Sequence, residues 1–220
     1  MLPWWLIAVP IWFNVFYGLL AWRFSYPGIL QEPTDVILSR FRAGGSGLIL
    51  TWWFFALGAI AFIPIAVLSA QLVPDPTLAI FVVVVGVLAA VVQALGLLRW
   101  VFLVPHLARE SASGADPKTV DLVFQSFHRY LGVAVGEHLG YLTTGLWTIL
   151  FSAGLQLGGN SLAITIPGYI IGAMLLIGTL EFVGPFEKNC WKVSGILVPV
   201  AYILWSIWLV VIGVVLLIAT

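Results

Sequence analysis

Charge is what this sequence has least of. Only 8% of its 220 residues are Asp, Glu, Lys or Arg, against about 25% in an average soluble domain. Nine basic and nine acidic residues cancel to a formal net charge of zero. No basic run or tail is present, which argues against nucleic acid as a partner. A single cysteine, Cys190 in "EKNCWK", rules out an internal disulfide and a cysteine metal knuckle and reads as a lone interfacial thiol. There is no HExxH, no paired-His helix motif, no phosphate-cradling glycine loop and no Ser-His-Asp arrangement. The sequence therefore leans away from an enzyme, with no catalytic residue to name. The opening "MLPWWLIAVPIWF" lacks a basic n-region and a small-residue cleavage site, so its apolar run is expected to stay in place as a helix.

What is abundant is apolar: 62% hydrophobic residues, with 22 glycines and 11 tryptophans. A soluble chain of this length has no interior large enough to hide so much apolar surface. The expected class is all-α, a polytopic bundle forming one integral membrane domain over 1–220. Six runs reach the roughly 20 apolar residues a span requires: about 2–22, 47–72, 77–105, 130–157, 162–183 and 193–219. The third is long enough to tilt or to emerge from the bilayer.

All nine basic residues fall at one set of span ends: Arg23, Arg40 and Arg42; Arg99, Arg109, Lys118 and Arg129; Lys188 and Lys192. The positive-inside rule then puts loops one, three and five in the cytoplasm and both termini on the periplasmic side. Within the first loop, "EPTDVILSRFRAGG" begins with capping-type Thr34 and Asp35 and stops at Gly44 and Gly45. It predicts a short helix lying on the cytoplasmic interface. Trp4, Trp5, Trp22, Trp52, Trp53 and Trp191 sit at span ends, the usual place of an aromatic belt.

Span four carries the most information. At 100° per residue, Gly132, Gly136 and Gly140 form a small-residue ridge that invites close helix packing. Beside it runs a polar stripe of Tyr130, Glu137, Tyr141, Thr144 and Thr148. His138 lies on the far flank of Tyr141. Treating spans three and four as a hairpin about Gly114 sets His128 near the depth of Arg99 and Glu137 near Ala90. Arg99 then sits about a dozen Å nearer the cytoplasm than Glu137, within reach of a long side chain that bends toward it. Glu181 is a second partner for Arg99. The expected buried polar cluster is Gln93, Arg99, His128, Glu137, His138, Tyr141 and Glu181. Asn14 and Ser206 are further polar positions inside apolar spans.

An ionisable residue inside a membrane is a functional candidate by default. Glu137 and His138 read equally as a clasp between helices and as a proton relay. His106, His128 and His138 are the only histidines available to a metal or haem. Their depths and directions differ, so no cofactor is expected.

The segments "LGLLRWVFLVPHLARE" and "FQSFHRYLGVAVGEHLGYLTTGLWT" resemble the core of a bacterial family of multi-helix inner-membrane proteins of unknown function. The resemblance centres on residues 86–150, with "GTLEF" and "AYILWSIWL" similar as well. It implies an inner-membrane location, about six helices and no assigned activity. The leading functional expectation is a non-enzymatic subunit that packs through span four, with copies of itself or in a larger membrane complex. The alternatives are a small proton-coupled transporter or conduit along the polar stripe, and a haem or metal redox protein.

Overall fold

A computed structural model describes residues 1–184 and 194–219. Lys188, Cys190, Trp191 and Lys192 lie outside the described residues. Within them the chain is helical and contains no β-strand. Helix α1 (Leu2–Phe24) ends where Ser25 turns left-handed at φ 56°. A short 3-10 turn, Gly28–Gln31, leads to α2 (Thr34–Ile60), which breaks at Gly45 (φ 57°, ψ −155°), a backbone conformation open essentially only to glycine.

The first arm of α2 is the short helix expected after span one. Ile37, Leu38 and Phe41 face inward, and Arg40 and Arg42 are exposed. Thr34 does not cap it, because Pro33 holds the cap position in an extended conformation. Instead Thr34 Oγ1 donates to Asp121 Oδ1 (2.5 Å) and accepts from Gln125 Nε2 (3.0 Å), tying the arm to a later helix.

The second arm of α2 and α3 (Phe62–Ser69) form the second crossing. Helix α4 (Pro76–Ala112) is capped by Asp75, whose Oδ1 accepts from the Leu78 N–H at 2.7 Å. Its 37 residues extend about 55 Å at 1.5 Å per residue, well beyond a hydrocarbon layer of about 30 Å. Pro117–Leu157 is one helical run wound in three ways: α5 (Pro117–Phe127), a π segment (His128–Leu139) and α6 (Gly140–Leu157). Asp116 starts it, and the Thr119 hydroxyl and N–H hold its carboxyl below the usual carboxylate range. Helix α7 (Leu162–Gly178), a 3-10 turn (Thr179–Phe182) and α8 (Ser194–Ile218) are the remaining elements among the described residues.

Among the described residues five helices are long and apolar enough to cross a bilayer, a bundle that fits a membrane protein. The fourth expected span is not in that set. The helices close into a ring in which α1 meets α2, α2 meets α4, α4 meets α6, α6 meets α7, α7 meets α8, and α8 returns to α1. Two cores hold the ring. One, around Leu6, Phe62, Trp147, Phe151, Trp205 and Leu209, fills the end away from the basic residues. The other packs Phe24, Phe41, Trp52, Trp100 and Phe124 at the basic end. Trp52 is thus a core residue rather than part of an aromatic belt: it is fully buried and stacks on Trp100 at 4.7 Å. Trp4 and Trp22 are exposed.

The tightest approach in the ring joins α4 to the π segment. A β-carbon built at Gly96 would lie 2.5 Å from Gly136 Cα and 3.0 Å from Leu131 O. Both neighbours are backbone and have no rotamer to yield. Gly96→Ala is expected to destabilise by about 1–3 kcal/mol through overpacking. Gly18→Ala, where nothing lies within 4 Å, is the matched control and should melt with wild type. Thermal unfolding in mild detergent distinguishes them; equal melting of both variants would refute the close contact.

Candidate functional site

The π segment organises the site. Its i→i+5 bonding puts one more residue into each hydrogen-bonded turn than an α-helix does. Gly132, Gly136 and Gly140 still face one way, toward α4. Added β-carbons there would meet Arg99 Cζ at 2.6 Å, Gly96 Cα at 2.9 Å and Gln93 Cγ at 2.8 Å. The ridge is filled by this chain's own α4. The pairing of Gly136 with Gly96 also revises the expected register, in which Glu137 stood beside Ala90. The wider winding and the 113–116 turn keep Glu137 nearer the basic end, so the expected gap of a dozen Å to Arg99 does not exist as drawn.

Both residues line a cavity of about 370 Å³ between the two cores. Helix α1 contributes Asn14 and Tyr17, and the connection after it Tyr26 and Gln31. Helix α4 provides Gln93 and Arg99, the π segment Glu137, and α6 Tyr141. Glu181 enters from the 3-10 turn, and Tyr202 and Ser206 from α8. The size suits a small-molecule site, for which 300–1,000 Å³ is typical.

Arg99 is 7% exposed. Its Nη1 donates to Gly96 O at 2.5 Å, and Nη2 lies 3.5 Å from His128 Nδ1. Its Nε is buried without a partner. No ion pair joins Arg99 to Glu137: among the described residues the salt bridge present is the exposed His106–Glu110 contact at 3.9 Å. Guanidinium and carboxylate face the same space without touching.

The remaining expected residues divide. Gln93 Nε2 donates to Thr144 Oγ1 (3.1 Å), Tyr202 Oη reaches Gln93 Oε1 (3.4 Å), and Trp205 Nε1 donates to Thr148 Oγ1 (3.0 Å). Thr144 and Thr148 are therefore buried interhelical links. Tyr130 is not in the interior stripe. It is 68% exposed, because the π winding turns the segment by less per residue than the 100° of an α-helix. His138 points away from Glu137. Its Nδ1 lies 3.0 Å from Thr179 O and 2.7 Å from Thr179 Oγ1, fastening the π segment to the 3-10 turn. His106 is on the exposed side of α4. Among the described residues no three His, Cys, Asp or Glu come together. Tyr17, Tyr26, Gln31 and Tyr202 were not anticipated. Spacing alone pointed to two of them: Asn14 and Tyr17 at i,i+3, and Tyr202 and Ser206 at i,i+4, share helix faces.

A family model described as a domain of unknown function, DUF4386, matches residues 4–213. The match takes in the first span as well as the segments that carried the resemblance. No curated protein and no solved structure matches the chain.

The contact between His138 and Thr179 generates a direct test. His138→Ala and Thr179→Val are each expected to lower the unfolding midpoint. A double-mutant cycle should give a coupling of about 1 kcal/mol, the upper range for hydrogen bonds between membrane helices. Strict additivity would contradict the bond.

Proposed function

Because this chain belongs to the DUF4386 family, a domain of unknown function, its role is read from its own geometry, and we propose that it is a membrane module that binds a small molecule within the bundle. One observation carries this reading: a buried guanidinium and a carboxylate open into one cavity and do not pair. Removing each ion from water costs on the order of several kcal/mol, which only a partner offsets. A clasp between helices would close the two groups together. Here both line one cavity, whose wall also includes Tyr17, Tyr26, Tyr141 and Tyr202. A ligand with complementary groups supplies the missing partners.

The proposal places the basic end in the cytoplasm of a bacterial cell, with the bundle in the inner membrane. An accessory or self-associating role has lost its main support, since α4 of the same chain occupies the glycine ridge. A continuous conduit is disfavoured by the Trp147, Phe151 and Trp205 packing beyond Thr148. No chemistry is assigned to the site.

Native mass spectrometry of the protein purified in mild detergent tests the reading. The wild type should retain a small-molecule adduct. Ile203→Trp, which places an indole at the cavity wall, should lose it while keeping its melting temperature. Arg99→Gln should weaken binding by at least about thirtyfold, as for other buried charge contacts. A wild type that carries no adduct, whether isolated in detergent or in native-lipid nanodiscs, contradicts the proposal.

A further inference from the structure

Asn14 and Ser206 have a second environment. Both line the cavity, and both also line an apolar groove on the outside of the ring between α1 and α8. The rest of that groove is Pro10, Ile11, Val15, Ile207, Val210 and Val211. Asn14 Nδ2 donates to Ser206 Oγ across 2.8 Å. One hydrogen bond therefore stands where the cavity meets the surface that lipid tails cover. Farther from the basic end the two helices touch. A β-carbon at Gly213 would meet Ile7 Cγ1 at 2.8 Å and Pro3 O at 2.9 Å.

The depths of these features match the layers of a bilayer. Arg99 is 23 residues beyond Pro76, the first residue of α4, or about 35 Å along it. That puts the guanidinium at the edge of a hydrocarbon layer about 30 Å thick. Asn14 is nine residues before Arg23 in α1, about 13 Å farther in. The charged part of the cavity thus lies at headgroup depth and the groove at acyl-chain depth.

We infer that the cavity takes the zwitterionic head of a single-chain membrane amphiphile, of the phosphoethanolamine type, whose chain parts the Asn14–Ser206 hydrogen bond and continues into the α1/α8 groove. The inference rests on the binding role proposed above and specifies its ligand. Arg99, with Nε unpartnered, meets the phosphate. Glu137 meets the ammonium, whose N–H donors suit a carboxylate that has no hydrogen bond from a described residue. A cavity of about 370 Å³ holds a head and the start of one chain. The groove, open on its outer side, takes the rest.

The test uses the full chain delipidated in detergent and three probes: lysophosphatidylethanolamine, lysophosphatidylglycerol and free phosphoethanolamine, followed by native mass spectrometry and tryptophan fluorescence. Lysophosphatidylethanolamine should bind at least about tenfold more tightly than either of the others. Glu137→Gln should abolish the preference over the glycerol head. Ile207→Trp, on the outer side of α8 and 55% exposed, should weaken the lysolipid by about tenfold and leave free phosphoethanolamine unchanged. Equal affinity for the free head group would overturn the chain route, and equal affinity for lysophosphatidylglycerol would overturn the zwitterionic head. If none of the probes binds while a different adduct occupies the cavity, this inference fails and the binding role stands. If the cavity holds nothing in any condition, both fail.

Discussion

The approach of two glycine backbones, Gly96 on α4 and Gly136 on the π segment, is the constraint on which the site depends. Lipid tails are as apolar as leucine, so burial gives membrane helices little reason to associate; close packing supplies it instead. Glycine at both positions lets the backbones meet with no side chain between them. The same approach lays the Arg99 side chain across Gly132 and Gln93 against Gly140. With α4 and the π segment locked edge to edge, Glu137 is turned to the inside of the ring. A β-carbon at Gly96 or Gly136 would push apart the two elements that carry the opposing charges.

Around that contact the two cores do different work. The core of Trp147, Phe151, Trp205 and Leu209 seals one end of the ring, and the Trp205 indole N–H donates across helices to Thr148 Oγ1. The core of Trp52, Trp100 and Phe124 supports the basic end and fixes the short arm of α2 over α4 and α5. The cavity is what neither core fills. Its polar lining comes from six separate stretches of chain, so it exists only once the ring has closed.

That origin explains which parts were legible in the sequence. The apolar runs, the basic end, the break at Gly45 and the glycine ridge are local patterns, and each depends on residues within a few turns. The misjudged depth of Glu137 and direction of Tyr130 share one physical cause: an α-helical advance of 100° and 1.5 Å per residue does not describe His128–Leu139, which is π-wound, and for Glu137 the 113–116 turn adds to it. Thr34 looked like a cap because of its place before an apolar run, but Pro33 took that position and its hydroxyl found Asp121. Tyr26 and Gln31 belong to a connection whose inward position follows from the ring alone.

The adjacency of Glu137 and His138 invited a joint role, as clasp or relay, and their separation changes the physical question. His138 is the clasp: it binds Thr179 and fastens the π segment to the turn after α7. Glu137 and Arg99 line the same cavity without an ion pair between them. A relay would need the two residues to share a proton path, and the His138 Nδ1 is engaged by Thr179 instead. A carboxylate and a guanidinium on the wall of one cavity, without an ion pair between them, make a site whose electrostatics are completed from outside the chain. The unpaired state costs desolvation that a ligand bearing both charges recovers. The α1/α8 seam, held by one hydrogen bond, is the side of the ring from which such a ligand reaches it without crossing a packed core.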